Sequence, residues 1–222
     1  MQLSHPFFAD CFDFAEAPIQ TLTVENRIFY RNLVSELLLQ CDGEHGEFSM
    51  FVGDGQVDVG KYTECITDLL RLDPAQNKRL CTGVQKELAD IAVHEMQEEL
   101  YALYSNMQSF VFEVIRRSGL DLEFEEVNDI APLLKMYDVH PSVQGASLAE
   151  KLLLYMELCA KYLKKKLFVI FHLHTLLSES EMQSFCRDVT YRKFCLLLIE
   201  TTEVPCCPLE RKIIVDSDMC EI

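Results

Sequence analysis

Residues 75–117 are the feature that most strongly limits how this chain can fold. They contain no proline and one glycine, Gly83, and their apolar side chains recur every three or four residues with charged residues between them. This spacing predicts helix. Because a helix rises about 1.5 Å per residue, an unbroken helix here would extend ~65 Å, which is too long for a compact small domain. The stretch should therefore project from the domain or pair with a second helix.

The residues after Pro141 predict a helix, a strand, a second helix and a second strand, in that order. The runs LFVIF and FCLLLIE are continuously apolar, which is typical of buried parallel strands, and KIIVDSD is a candidate third strand. Ser147 with Glu150, and Ser178 with Glu181, have the spacing of a capping box at the start of each helix. This alternation is typical of an α/β domain.

The residues before the helical stretch contribute to the same domain. TVENRIFYRNLVSELLLQC predicts a helix that ends at Gly43, and EFSMFVGDGQVDV predicts a hairpin. Residues 3–14 and 17–22 predict short edge strands. TECITDLLRLD predicts a helix that Pro74 separates from the long helical stretch, and EFEEVNDIAPLLKMY predicts a shorter helical partner in which Pro132 is a candidate kink.

The predicted fold class is therefore α/β with a mostly parallel sheet and a helical insertion. Residues 1–60 together with 141–222 form an α/β head domain, and residues 61–140 form an inserted α-helical leg domain. The chain passes between the head domain and the leg domain twice, at one junction, and this junction would act as a hinge.

Acidic and basic side chains are unevenly distributed along the chain. The 222 residues include 36 acidic and 20 basic side chains, a formal charge of −16. Residues 1–144 hold 25 acids and 10 bases, whereas residues 145–222 hold 11 and 10. An acidic protein is repelled by nucleic acid at long range, but it can bind phosphates if its cations are gathered on one surface. The net charge lowers the expectation of DNA binding without excluding it.

Several features predict a cytoplasmic protein that does not enter a membrane. No apolar run approaches the ~20 residues of a membrane helix, and the N-terminal MQLSHPFFADCFDF lacks the pattern of a secretion signal. The ten cysteines include no CxxC pair, so a zinc knuckle or a thioredoxin-type site is unsupported. Reduced and mostly buried thiols are the expectation.

The segment GQVDVGKYT, residues 55–63, matches the first seven places of the phosphate-loop pattern GxxxxGK[ST]. Gly55, Gly60 and Lys61 stand in position, but Tyr62 replaces the hydroxyl residue that would bind metal. The alternating VDV interior suits a strand better than a phosphate cradle, and its carboxylate would face a triphosphate. A hairpin turn is favoured, and a nucleotide-binding ATPase with a degenerate loop is the alternative.

No catalytic constellation stands out, and we predict no enzymatic activity. The chain has neither a GxSxG elbow nor an HExxH motif. His172 and His174 lie two apart after LFVIF and could share a face, but a metal would need further ligands, and histidines bonded to the backbone are the commoner arrangement. Cys206 and Cys207 lie between prolines without a neighbouring histidine base, so a reactive nucleophile is not expected there.

The segment LDLEFEEVND, residues 120–129, concentrates carboxylates. If it were extended, Asp121, Glu123 and Glu125 would share one face. Carboxylates this close repel one another, and a hard cation such as calcium, which prefers oxygen ligands, removes the repulsion. A solvated acidic helix start is the alternative, because acids are favoured at a helix N-terminus.

The segment KYLKKK places four lysines in six residues immediately before LFVIF. On a continuing helix, Lys161, Lys164 and Lys165 would share one face at spacings of three and four, with Lys166 turned aside. Cations stabilise the negative end of a helix dipole, so helix capping is one interpretation. Four lysines exceed what capping requires, and a phosphate-binding patch is the other interpretation.

Together these segments resemble the Csn-two family of type II-A CRISPR systems, small proteins that bind DNA ends and take part in spacer acquisition. The resemblance covers nearly the whole chain in element order and length. It is carried by LDLEFEEV, KYLKKKLFVIF, LLSESEMQSF and FCLLLIE, with EAPI and YTECITDLLRLD as further matching segments.

The resemblance implies a head similar to a degenerate phosphate-loop ATPase fold, a helical leg, and assembly into a homotetrameric ring. It implies sequence-independent binding of linear double-stranded DNA threaded through the ring, with calcium supporting the assembly and without enzymatic activity. The implied partners are other CRISPR adaptation proteins, namely the integrase complex and the effector nuclease. A ring with its lysines inside and its acids outside would reconcile DNA binding with the negative net charge.

Carried over residue by residue, the resemblance selects two sets of side chains. It gives Asp121, Glu123 and Glu126 as candidate calcium ligands, to which the alternating pattern of the segment adds Glu125. It gives Lys164, Lys165 and Lys166 as candidate DNA-binding residues, to which the helical spacing adds Lys161. His172, Leu173 and His174 depart from the small polar residues that the family places after this strand. A structural scaffold, in which the lysines serve only as helix caps, is a third hypothesis beside the DNA-binding ring and the ATPase.

Overall fold

Two compact units make up the computed structural model. It describes the following residues: 1–53, 55–126, 128–145, 147–205 and 207–222. One unit, which we call the head unit, comprises Met1–Asp73 and Val143–Ile222. The other, which we call the helical unit, comprises Pro74–Ser142.

Within the described residues, the head unit contains two sheets and four α-helices, and the helical unit contains three α-helices. The strands are β1 (Gln2–Ser4), β2 (Phe12–Asp13), β3 (Ile19–Val24), β4 (Ser49–Val52), β5 (Gly55–Val57), β6 (Thr63–Ile66), β7 (Leu167–Phe171), β8 (Cys195–Glu200) and β9 (Glu210–Val215). The helices of the head unit are α1 (Arg27–Cys41), α2 (Val59–Tyr62), α6 (Leu148–Leu163) and α7 (Glu179–Tyr191). Those of the helical unit are α3 (Lys78–Glu95), α4 (Gln97–Ser118) and α5 (Ala131–Met136).

The larger sheet has five strands in the order β6-β7-β8-β3-β9, and each neighbouring pair is parallel. All residues of β7 and all but the first of β8 are buried, which explains why LFVIF and FCLLLIE are apolar without alternation. The predicted parallel strands are confirmed, including the third strand in KIIVDSD. The α/β fold class is confirmed with them.

Strand β3 is an interior strand, so the prediction of an edge strand over residues 17–22 was wrong. It lies between β8 and β9, and all six of its residues are buried. Polar side chains made the segment resemble a half-exposed strand. Inside the protein, Thr21 donates its hydroxyl hydrogen to Glu210 at 2.7 Å, and Gln20 donates to the Ala17 carbonyl at 3.4 Å. Hydrogen bonding of this kind lets polar groups occupy a buried strand.

A second, antiparallel sheet has the order β2-β1-β4-β5. Its β4-β5 pair is the predicted hairpin, with Met50 opposite Val57. One apolar core joins this sheet, α1 and one face of the parallel sheet, and it includes Leu3, Phe12 and Leu37. Each such side chain contributes about 1.5–3 kcal/mol by leaving water, so this core is the main source of stability of the head unit.

The segment after α2 is a strand followed by an irregular stretch over residues 67–73, so the predicted helix TECITDLLRLD was wrong. Residues Thr63–Ile66 form β6, which pairs in parallel with β7 at the edge of the larger sheet. The head unit therefore extends to Asp73 rather than ending at residue 60. Pairing with β7 overrides the local helical pattern, because a strand propensity depends on the neighbour it packs against.

Helix starts in the head unit follow the predicted capping residues. The Ser147 side chain accepts the Glu150 N–H at the start of α6. Ser178 and Glu181 form a complete capping box at the start of α7. Each cap satisfies N–H groups that the helix itself leaves without a partner, and is worth about 1 kcal/mol.

The helical unit contains two long helices instead of one unbroken helix over residues 75–117. The break lies at Met96, whose backbone (φ −126°, ψ 36°) is not helical. Neither proline nor glycine marks this position, so no local pattern indicates the break. Gly119 (φ 67°) ends α4 in the left-handed conformation that glycine adopts without strain.

The shorter helical partner predicted from EFEEVNDIAPLLKMY is confined to α5. Pro132 lies in the first turn of α5, where its missing N–H is not needed, so it does not kink the helix as predicted. Among the residues that the structure describes, none of the helices combines the length and the apolar character needed to cross a bilayer.

Candidate nucleic-acid interface

The amino ends of three parallel strands line up along one edge of the larger sheet. The register pairs Thr63 of β6 with Leu167 of β7, and Leu167 with Cys195 of β8. Residues that precede these strands are therefore neighbours in space. Accordingly, the Lys166 N–H donates to the Tyr62 carbonyl at 2.8 Å. We call this side of the sheet the amino edge, and the lysines of KYLKKK lie on it.

Helix α6 ends at Leu163, so Lys161, Lys164 and Lys165 do not share one helical face as predicted. Lys164 has a left-handed backbone (φ 59°) that stops the helix, and its Nζ donates to the Lys161 carbonyl at 3.0 Å. A cation at this end stabilises the helix dipole, which fits the capping interpretation for Lys164. Lys161 is still within the helix, and its Nζ lies 4.9 Å from the centroid of the Tyr162 ring.

Lys165 has a structural role that the sequence did not reveal. Its side chain is only 9% exposed, and its Nζ donates to the carbonyls of Gly60 and Thr63, each at 2.7 Å. The Glu64 carboxylate lies 3.4 Å from the same nitrogen. A buried ammonium is stable only when hydrogen bonds and an opposite charge compensate for lost water. Lys165 therefore joins the start of β6 to the start of β7, and its charge does not face solvent.

Tyr62 gathers two lysines from distant parts of the sequence. The Nζ of Lys61 lies 5.5 Å from the centroid of the Tyr62 ring, and that of Lys166 lies 5.1 Å from it. Both distances are within the range of cation–π attraction. Sequence reasoning assigned Lys61 only to the phosphate-loop pattern and missed it here. The parallel pairing of β6 with β7 is the signal that would have placed Lys61 beside Lys166.

Four exposed lysines thus share the amino edge, and we call them the amino-edge cluster: Lys61, Lys161, Lys164 and Lys166. Lys193 lies just before β8 on the same edge, and Arg192 forms an ion pair there with Glu157. The cluster gathers cations on one surface of an acidic chain. Such an arrangement can hold anionic groups such as phosphates.

The phosphate-loop pattern forms a strand followed by a single helical turn. Gly55 begins β5 of the antiparallel sheet, and Asp58 caps α2 by accepting the Lys61 N–H at 2.7 Å. A side chain at Gly60 would place its Cβ 2.5 Å from the Cys41 carbonyl oxygen, so this glycine serves the close approach of α2 to α1. Gly60 and Asp58 therefore have local structural explanations, and the nucleotide-binding alternative gains no support.

The acidic segment of the helical unit is exposed and has no regular secondary structure over residues 121–126. Phe124 and Glu125 line a shallow cavity of about 60 Å³ beside Tyr104 and Met107 of α4. Among the described residues, some groups of potential metal ligands have their ligand atoms within 4.8 Å of one another. These groups do not include the four predicted carboxylates, Asp121, Glu123, Glu125 and Glu126. Their oxygen chemistry suits a hard cation, but the side chains do not converge on one point.

The two histidines after β7 bond to side chains rather than to the backbone as predicted. His172 begins a 3-10 turn with a left-handed backbone (φ 55°), and its Nε2 lies 2.8 Å from the Tyr30 hydroxyl. His174 Nδ1 lies 3.0 Å from Glu200 Oε1, and the His174 backbone N–H donates to the same oxygen at 3.1 Å. The two rings therefore do not act as a pair of metal ligands.

His174 belongs to a buried ionic network. Its Nε2 lies 3.3 Å from Glu210 Oε2, and both Glu200 and Glu210 side chains are 1% exposed or less. Burial alone lowers the pKa of His174, but hydrogen bonds to the two glutamates raise it to about 9. Burial alone raises the pKa of Glu210, and the hydrogen bonds from His174 and Thr21 bring it below its usual value.

None of the described cysteines forms a disulfide, in agreement with the prediction of reduced thiols. Cys41 and Cys65 place their sulfur atoms 3.5 Å apart. Cys207 is buried, and Cys206, its partner in the predicted unreactive pair, lies outside the described residues.

These features define an α/β protein with a helical insertion and a cation cluster at the amino edge of its parallel sheet. Residues 40–219, more than three quarters of the chain, match the family described as CRISPR-associated protein (Cas_Csn2). The chain belongs to this family, so the predicted family is confirmed and the protein's function lies in CRISPR-based defence. No curated protein shows a significant match to the sequence.

Proposed function

We propose that this chain is a non-catalytic protein that binds linear double-stranded DNA without reading its sequence, and that it acts in CRISPR spacer acquisition. The amino-edge cluster carries the proposal, because it collects exposed cations in a chain whose formal charge is −16. Family membership supports the CRISPR setting. Other adaptation proteins, the integrase complex and the effector nuclease, are the proposed protein partners.

The composition of the amino-edge cluster favours contact with the DNA backbone. Lysine ammonium groups act as point charges toward phosphates, and phosphate contacts position a protein on a duplex without carrying sequence information. Lys61, Lys161, Lys164 and Lys166 supply these charges. Lys165 is left out of the proposed set because carbonyls and Glu64 already hold its ammonium group.

Assembly into a homotetrameric ring would strengthen this binding. A single copy offers only a small cluster, surrounded by an acidic surface that repels DNA. If four copies close with their clusters toward a central bore, the cations line the path of the duplex and the acids remain outside. Such a ring would admit DNA only through a free end.

Calcium is the proposed ion of the assembly. Asp121, Glu123, Glu125 and Glu126 would hold it once assembly brings their oxygens together, since hard cations take carboxylate oxygens. The ion would neutralise acidic side chains that otherwise repel one another. Native mass measurement with calcium and with a chelator tests both the ion and the ring: we expect a tetramer that depends on calcium, and a monomer under both conditions would contradict this part of the proposal.

Retention of a linear duplex by the double variant Lys164→Glu/Lys166→Glu tests the DNA-binding proposal. We expect at least tenfold weaker retention, because charge reversal removes phosphate contacts and adds repulsion. Wild-type affinity should fall steeply with salt, since phosphate contacts release counterions, and the variant's salt dependence should be shallower.

Lys151→Glu is the matched control. Lys151 is exposed on the same helix as Lys161 but lies near the opposite end of α6. It carries the same change of charge as the single variant Lys164→Glu, so its retention of DNA should remain close to that of wild type while that of Lys164→Glu falls. Equal loss in the control and the cluster variant would mean that net charge, and not the amino edge, governs binding. Unchanged retention in the cluster variant would support the scaffold hypothesis instead.

A further inference from the structure

A cluster of potential metal ligands lies inside the head unit, apart from the amino-edge cluster. The ligand atoms of Cys186, Cys207 and Glu210 all lie within 4.8 Å of one another. Cys186 belongs to α7, Glu210 begins β9, and Cys207 lies in the connection that precedes β9. Both cysteines are buried, and the Glu210 side chain is 0% exposed.

His174 supplies a second, independent observation at this cluster. Its Nε2 is buried without a well-directed hydrogen bond and lies 3.3 Å from Glu210 Oε2. Glu200 and Glu210 can only accept hydrogen bonds, so they favour a ring protonated on both nitrogens, in keeping with the raised pKa of His174. In the metal-free protein the Nε2 proton supplies the positive charge beside Glu210. A divalent ion held by the two neighbouring thiolates would supply that charge in the place of the proton.

His5 provides an instructive contrast. It also lies near two carboxylates, with its Nε2 3.6 Å from Glu36 and 3.7 Å from Glu47. Its Nδ1, however, accepts the Phe7 N–H at 3.2 Å, which places the proton of the neutral ring on Nε2. That N–H faces the carboxylates and suits them without any metal. The His174 site differs because two buried thiols, those of Cys186 and Cys207, lie beside its carboxylate, Glu210.

We propose that Cys186, Cys207, Glu210 and His174 bind a divalent transition-metal ion of the zinc type. Two sulfurs, one imidazole nitrogen and one carboxylate oxygen form a donor set that such ions prefer to calcium or magnesium. The ion joins α7, the start of β9 and the turn after β7. It serves the stability of the head unit and is independent of DNA binding.

The residues around the four ligands match those that support metal sites. Glu200 holds His174 through Nδ1–H, as carboxylates commonly do behind a metal-bound imidazole. The Thr21 hydroxyl donates to Glu210 at 2.7 Å and orients that carboxylate. A cavity of about 110 Å³ is lined by His174 and Cys207 and gives an ion access to the site.

Binding must release protons. Thiols coordinate such ions as thiolates and imidazole coordinates them through an unprotonated nitrogen, so both thiol protons and the Nε2 proton of His174 leave to solvent when the ion enters. The reaction exchanges one dication for protons without any oxidant or reductant. Affinity should therefore increase as the pH rises.

Titration of the chelator-stripped, reduced full-length protein with Co²⁺ and Zn²⁺ tests the proposal. We expect one ion per chain, a sulfur-to-cobalt charge-transfer band, and displacement of Co²⁺ by Zn²⁺. At a hundredfold excess over Kd, Zn²⁺ should raise the midpoint of thermal unfolding by about 5–10 °C. Absence of stoichiometric binding, or a disulfide between Cys186 and Cys207 in the reduced protein, would overturn the proposal.

Single variants locate the site. Cys186→Ser and Cys207→Ser should each lose the band, whereas Cys159→Ser, an equally buried cysteine of α6, should keep it. If a serine variant does not fold, Glu210→Gln provides the same test without changing a thiol. Full binding in the Cys186 and Cys207 variants, or equal alkylation of both thiols with and without Zn²⁺, would place the ion elsewhere and refute the assignment.

Discussion

The two ends of the parallel sheet use charge in opposite ways. At the amino edge, Lys61 and Lys166 remain exposed beside Tyr62. At the other end, β8 finishes with Glu200, which is almost fully buried and bonded to His174. Ligands of open α/β sheets usually bind at the carboxyl ends of the strands. In this protein a buried network occupies that region, and the amino-edge cluster lies on the opposite side.

Loss of Glu200 should have the largest effect on stability. Glu200→Ala leaves the His174 ring N–H and backbone N–H without their acceptor, so we expect the free energy of unfolding to fall by about 3–5 kcal/mol. Urea unfolding of the protein in the presence of a metal chelator measures this free energy. Glu203→Ala is the control, because Glu203 is exposed and its ion pair with Lys212 at the surface should contribute little to stability. Similar losses of unfolding free energy in both variants would mean that buried Glu200 stabilises the fold no more than exposed Glu203 does.

Lys165 provides the second test, since it is a buried lysine within an otherwise exposed group. Lys165→Ala leaves two carbonyls and Glu64 without their donor, and we expect a loss of about 2–3 kcal/mol in the free energy of unfolding. Lys164→Ala should cost less than about 1 kcal/mol, because its Nζ is exposed and bonds only to a helix-end carbonyl. If the two variants are equally stable, the structural role of Lys165 is wrong.

Lys61 tests the membership of the amino-edge cluster. Lys61→Glu should weaken retention of linear duplex DNA several-fold and reduce the salt slope by about one unit, as loss of a single phosphate contact does. Filter binding at three or more salt concentrations measures both. A Lys61 variant that binds like wild type, while the Lys164/Lys166 double variant does not, would restrict the interface to the end of α6.

Nucleotide should have the smallest effect. Gly60 serves helix packing and Asp58 caps α2, so millimolar ATP with magnesium should leave the thermal unfolding midpoint unchanged. Any ligand that binds the folded state must raise the midpoint. A reproducible rise that Lys61→Ala abolishes would restore the nucleotide-binding alternative.

Local signals predicted much of the head unit. Continuous apolar runs identified β7 and β8, and the spacing of Ser178 and Glu181 identified the start of α7. These features depend on residues close together in the sequence. The break at Met96 could not be found in this way, because the residue carries none of the usual signs of a helix end.

The candidate site was predictable only in part. The lysine run was visible, but the burial of Lys165 and the placement of Lys61 both follow from the register of β6 with β7. That register could not be anticipated while TECITDLLRLD was interpreted as a helix. The contacts of His174 with Glu200 and Glu210 likewise depend on which strands are neighbours, which no local pattern of the sequence contains.

Binding of DNA with and without free ends tests the central claim most directly. The measurement compares a linear duplex with a covalently closed circle of the same sequence and length, for wild type and for Lys164→Glu/Lys166→Glu. We predict that wild type retains the linear DNA and not the circle, and that the variant retains neither. Equal retention of the circle and the linear duplex, or retention of the linear duplex that the lysine changes do not affect, would contradict the account.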